Sequence, residues 1–159
     1  MIARLLSDFL SIDNVASIRI EFYSTIGETK ERPVITQPVS SNVQGLRVLL
    51  ADDVADTGGS LEVALDHLKK RGAKEVKVAV VHKKPWCRIE PDFYVMVVDA
   101  WIIYPHEYKE TIREIAKRML LKEGKSIEEL REELRRIGFS EKLIEYFLPR
   151  VLREIGVVI

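Results

Sequence analysis

Between residues 47 and 82, two apolar runs enclose an amphipathic stretch, and this order constrains the fold more than any other feature of the chain. Val48-Leu-Leu-Ala51 is continuously apolar but long enough only for a strand, and Val76 to Val81 is a second run, rich in β-branched residues. From about Ser60 to Arg71 the apolar residues recur at helical spacing, and Gly72 stands where such a helix would end. Strand, loop, helix and strand in this order predict an α/β fold with a mostly parallel sheet, its strands buried on both faces. Ligands of such folds sit at the C-terminal ends of the strands.

The flanking sequence extends this scheme. Ile2, Leu5, Leu6, Phe9 and Leu10 predict a short helix over 2–10. Ile18, Ile20 and Phe22 alternate with Arg19, Glu21 and Tyr23, which predicts a half-buried strand over 16–23. Residues 24–32 read as an exposed loop, Pro33 to Pro38 as an edge strand bounded by prolines, and Phe93 to Val98 as a further strand. From about Glu107 the period becomes helical throughout, with helices expected over 107–123, 127–137 and 141–154. Gly124 and Gly138 separate them, Ser126-x-x-Glu129 forms a capping box, and Ser140 stands at an N-cap. The expected organisation is an α/β domain over 1–106 and a C-terminal all-helical extension over 107–159.

Charge and composition then remove whole classes of function. Of 159 residues, 25 are Lys or Arg and 25 are Asp or Glu, so no global field favours nucleic acid or an anionic membrane. The helical extension is no exception, since 109–154 carries twelve basic and ten acidic residues. One cysteine, Cys87, and three scattered histidines exclude an internal disulfide and a multi-cysteine zinc site. The first ten residues place an Arg and an Asp inside their apolar stretch, unlike a signal peptide, so the expected location is cytoplasmic. The stripes Leu130, Leu134, Ile137 and Leu143, Ile144, Phe147, Leu148, Val151, Leu152 hold more apolar surface than a short helical pair can bury. Either the α/β domain or a second subunit is expected to cover them, and a homo-oligomer with the extension near its interface is the prediction.

The chemistry concentrates in Val48-Leu-Leu-Ala-Asp52-Asp53-Val-Ala-Asp56-Thr57-Gly58-Gly59-Ser60-Leu61. A buried strand is expected to end in two adjacent carboxylates, followed by a turn into a helix N-terminus. Gly58 and Gly59 allow positive φ and let several N–H groups converge, the helix end adds partial positive charge, and Thr57 and Ser60 add hydroxyls. This suits a phosphate monoester, and the carboxylates suit a polyol or a magnesium ion, which together describe a ribose 5-phosphate. An isolated Asp-Thr-Gly could equally be an ordinary capped turn. Two acids directly after a buried strand are costly unless they bind something.

Over all fourteen residues this run resembles the 5-phosphoribosyl 1-diphosphate (PRPP) signature of the type I phosphoribosyltransferases. The resemblance implies that Asp52 and Asp53 meet the ribose hydroxyls and the Mg2+ shell, directly or through water, and that Asp56, Thr57, Gly58, Gly59 and Ser60 hold the 5-phosphate. In the purine branch, the acid matching Asp56 also lies near N7 of the base and is the general acid/base. Gly58-Gly59 before a hydroxyl residue is most similar to bacterial xanthine-guanine enzymes. His82-Lys83-Lys84-Pro85 is similar to the purine-branch segment whose lysine meets the 6-oxo group, a role that falls to Lys84. A cation there favours a carbonyl oxygen over an exocyclic amine. Asp99-Ala-Trp101-Ile102-Ile103-Tyr104-Pro105 resembles the segment in which the Trp stacks on the purine and the next backbone carbonyl meets the base edge, which implies these roles for Trp101 and Ile102.

The resemblance covers about residues 2–108. Family members carry a further N-terminal helix and a strand ending in a pyrophosphate-binding loop, so Met1 is expected to be an internal start, the alternatives being that the strands close up or that another chain fills the gap. The implied reaction is PRPP plus a 6-oxopurine, whether guanine, xanthine or hypoxanthine, giving the nucleoside monophosphate and pyrophosphate. The alternative is a non-catalytic PRPP- or nucleotide-binding regulatory module whose helices contact a partner.

Overall fold

The computed structural model describes residues 1–23 and 32–157 and divides into two compact units, Met1–Ala100 and Trp101–Ile159. The loop expected over 24–32 falls, but for Arg32, outside the described residues.

In the first unit, α1 (Ile2–Leu10) forms where the periodicity places it and stops at Ser11, whose φ of 53° lies in the left-handed region. β1 (Arg19–Tyr23) and β2 (Arg32–Gln37) pair antiparallel, with Ile20 opposite Ile35. They make a two-stranded sheet of their own.

β3 (Arg47–Ala55), β4 (Glu75–Lys83) and β5 (Phe93–Val97) form a parallel sheet in that order. α2 (Gly59–Lys70) connects β3 to β4 and buries Leu61, Ala64 and Leu68. Leu61 packs with Ala55, Val78 and Val80 near the helix start, while Leu68 packs with Val39 and Val43 near its end. Apolar contacts at both ends therefore fix the direction in which the α2 N-terminus points. Gly72 ends the helix as expected, at φ +82°, and Ala73 N–H donates to Leu68 O at 3.1 Å.

Burial of every strand on both faces is corrected at β3, where only Ala55 is buried, and at β5. Val78, Ala79 and Val80 of β4 are buried, whereas all five residues of β5 are exposed. Among the described residues β5 is an edge strand paired with β4 alone, and a loop rather than a helix joins the two. Asp92 anchors its start, accepting from Lys77 Nζ at 2.7 Å and from Val78 N at 2.8 Å.

The second unit is helical. A single turn (Pro105–Glu107) leads into α3 (Tyr108–Ala116), a wider π-helical stretch continues over Lys117–Lys122, and α4 (Ile127–Arg136) and α5 (Glu141–Glu154) follow. The Ser126–Glu129 capping box forms in both directions. The apolar stripes of α4 and α5 meet α3 within this unit: Leu130, Leu134, Ile144, Leu148, Val151 and Leu152 are buried together with Ile112, Ala116 and Met119. Among the described residues no helix is long and apolar enough to cross a membrane.

Candidate active site

The strand-to-helix junction after β3 is the best-defined polar site of the first unit. β3 does not end before its acids. Its pairing continues with Asp52 opposite Val80, Val54 opposite His82 and Ala55 opposite Lys83, so Asp52 and Asp53 belong to the last part of the strand. The expectation that the strand ends in the two carboxylates is corrected accordingly: the neighbouring β4 backbone extends the ladder past them to Ala55.

Asp52 Oδ1 accepts the backbone N–H of Asp53 at 3.0 Å. By surface Asp52 is an exposed residue, but the protein packed around its carboxyl, aided by the negative charge of Asp53, raises its pKa above the ordinary 3.8. A cation beside it would relieve both effects.

The loop Asp56-Thr57-Gly58 turns the chain into α2. Gly58 is the helix N-cap, at φ +89° and ψ −2°, and its carbonyl accepts from Glu62 N at 2.9 Å. Thr57 Oγ1 accepts the Gly59 N–H at 3.4 Å, which folds the hydroxyl over the first helical turn. The junction thus joins a glycine-shaped helix start to hydroxyls and upstream carboxylates, an arrangement able to hold a phosphate monoester and a polyol.

Lys84 follows β4 at the same end of the sheet, its backbone N–H donating to Ala55 O at 2.9 Å. Only 8% of the residue is exposed, and its ammonium donates to the Ala100 carbonyl. Asp52, Asp53, Asp56, Thr57, Gly58, Gly59, Ser60 and Lys84 therefore all belong to the first unit. Trp101, 86% exposed, and Ile102 open the second.

Sequence reasoning missed three neighbours of this loop. Trp86 Nε1 donates to Asp56 Oδ1 at 2.7 Å, Arg88 donates to Thr57 O, and Ile89 packs on Gly58. The available signal was topological: adjacent parallel strands place the loops after β3 and β4 at one end of the sheet.

A parallel α/β sheet whose strand β3 carries two adjacent acids and leads through a glycine-shaped turn into α2 defines an α/β domain with a polar strand-to-helix junction. The phosphoribosyl transferase domain model matches residues 1–113, and the chain belongs to that family, of the type I kind and close to the 6-oxopurine enzymes. A hypoxanthine-guanine phosphoribosyltransferase of Streptococcus pneumoniae is 34% identical over 94 residues, which are 56% of this chain and 52% of that protein. The chain thus spans about half the length of the curated relatives it matches. Among solved structures, a purine phosphoribosyltransferase from Pyrococcus horikoshii is 43% identical with a TM-score of 0.61, covering 65% of this chain and 68% of that one. A Neisseria gonorrhoeae protein crystallised with bound ppGpp is 29% identical with a TM-score of 0.54, covering 66% of each chain.

Proposed function

We propose that the protein is a purine phosphoribosyltransferase, which transfers the 5-phosphoribosyl group of PRPP to a 6-oxopurine (guanine, xanthine or hypoxanthine) and releases pyrophosphate. The observation that carries this reading is the junction itself. Gly58, at positive φ, opens the N-terminus of α2 beside Thr57 and Ser60, and Asp52 and Asp53 stand just upstream in β3.

In this reading the Gly58 and Gly59 backbone, with the Thr57 and Ser60 hydroxyls, receives the 5-phosphate. Asp52 and Asp53 accept hydrogen bonds from the ribose hydroxyls. The same two acids, adjacent hard oxygen donors, fit Mg2+ and would hold it directly or through water. When bound, the ion supplies charge neutralisation to the diphosphate.

The base nitrogen displaces pyrophosphate at C1 of the ribose through an oxocarbenium-like transition state. The residues lower the barrier chiefly by positioning and charge compensation. Asp56 moves the proton at N7, Lys84 donates to the 6-oxo oxygen, Trp101 stacks on the purine, and the Ile102 carbonyl meets the base edge. For Lys84 this requires its ammonium to turn from the Ala100 carbonyl or to bridge it and the base. A cytoplasmic homo-oligomer active in purine salvage is part of the same proposal, and light scattering on the full chain reads the oligomeric mass.

The decisive experiment is a coupled assay of pyrophosphate release with PRPP, Mg2+ and each of the three bases. Release with at least one base is expected. Binding of a nucleoside monophosphate with no release for any base would replace transfer by a binding role.

A further inference from the structure

The loop after β4 follows the loop after β3 residue by residue. Lys84 N–H donates to Ala55 O at 2.9 Å, Trp86 Nε1–H to Asp56 Oδ1 at 2.7 Å, and Arg88 to Thr57 O from both its backbone N (3.3 Å) and its Nε (3.4 Å). Ile89 and Cys87 then cover Gly58. An ion pair between Lys83 and Glu90 closes the base of the second loop.

Within this series the Trp86 contact differs in kind, because it is made to a side chain. A 2.7 Å N–H to carboxylate distance belongs to the charge-assisted range. Packing does not account for the residue: Cys87 and Ile89 join the hydrophobic cluster beside α2, whereas Trp86 joins none and is 53% exposed. What holds the indole is polar on both sides. Its N–H is bonded to Asp56, and Lys84 Nζ stands 5.6 Å from its ring centroid while bonded to Ala100 O.

We propose that Trp86 is a positioning residue. Its N–H fixes the Asp56 carboxylate through Oδ1, and its ring sets the spacing between Asp56 and Lys84. The inference rests on the proposed function, in which these two groups meet N7 and the 6-oxo oxygen. Those atoms share one edge of a purine, so a single spacer between acid and ammonium decides whether both are reached together. Oδ2 of Asp56 has no partner among the described residues and is the oxygen left to handle the proton. Trp86 itself needs no contact with the substrate.

The test uses the full chain with Trp86→Phe, which keeps a ring and removes the donor, together with Asp56→Asn and the double variant. Only two tryptophans occur in the sequence, so a 15N-labelled sample gives two indole cross-peaks, and Trp86→Phe assigns them. Asp56→Asn is expected to shift the Trp86 indole signal and speed its exchange with solvent, leaving Trp101 in place. Asp56→Ser repeats this arm if Asn rearranges the loop. In turnover, Trp86→Phe is expected to lower kcat about tenfold with less than about a twofold change in KM for PRPP, and to add nothing to Asp56→Asn. An unmoved Trp86 signal, an unchanged kcat in an active enzyme, or full additivity overturns the proposal. A wild-type chain that transfers no phosphoribosyl group refutes the function instead, and the indole spectra then decide the Trp86–Asp56 contact alone.

Discussion

Ile89 roofs Gly58 so closely that a methyl group at Gly58 would stand 2.9 Å from Ile89 Cγ1 and 3.2 Å from its backbone nitrogen. The φ of +89° is itself unfavourable for any residue with a Cβ. Gly58→Ala is therefore expected to cost about 1–3 kcal/mol and to weaken nucleoside monophosphate binding, because relief requires the two loops to part. Urea unfolding and a binding titration read the two effects; a variant with wild-type stability would show that the loops separate freely.

Asp56→Asn removes the group proposed to move the proton while keeping Thr57, Ser60 and the glycine-shaped start of α2. Loss of turnover by about a hundredfold with little change in nucleoside monophosphate affinity is expected. Steady-state kinetics beside a binding titration measure both, and unchanged turnover removes Asp56 from the mechanism.

Two aspartates impose opposite dependences of stability on pH. The folded pKa of Asp52 lies above 3.8, mainly through burial, so from 3.8 up to that raised value the folded chain binds more protons than the unfolded chain and loses stability as pH rises. Asp52→Asn should raise the Tm at pH 7 and change little at pH 3. Asp92 is the converse: the hydrogen bonds from Lys77 and the Val78 N–H lower its pKa below 3.8, so its contribution is complete above that value and is lost as pH falls through the lowered one. Asp92→Asn should lower the Tm at pH 7, and the deficit should shrink below pH 3.8. Thermal melts across this range decide both signs.

Ser126 Oγ accepts Glu129 N at 3.2 Å, and Glu129 Oε2 accepts Ser126 N at 2.8 Å. Ser126→Ala is expected to destabilise the helical unit by about 1 kcal/mol, seen as a lower urea midpoint with an unchanged slope.

Truncation after Glu123 removes α4 and α5, which bury Ile112, Ala116 and Met119 of the preceding helices. The shortened chain is expected to aggregate, since those side chains would face water. Size-exclusion chromatography checks this, and a soluble truncated chain would show that the remaining helices find cover elsewhere.

By itself the sequence determined the elements whose signals are local. α1 occupies the predicted residues 2–10, α2 and α5 begin and end within a residue or so of prediction, and the Ser126–Glu129 box caps α4 as read. Periodicity and capping act between residues three or four apart, so they are visible without knowledge of the fold. The glycine-shaped turn from β3 into α2 was legible for the same reason, because the glycines, hydroxyls and acids of 52–60 stand in one short run.

Only the tertiary structure decided what depends on which segment lies opposite. The extension of β3 through Asp52 and Asp53 follows from its ladder with β4, and the exposure of β5 from its place at the sheet edge with no helix in its connection. Trp86 meets Asp56 thirty residues away, and Ile89 meets Gly58, because parallel register sets Ala55 against Lys83 and so brings two loops to one end of the sheet. Register and burial are properties of paired segments, and no single stretch of sequence carries the identity of its neighbour.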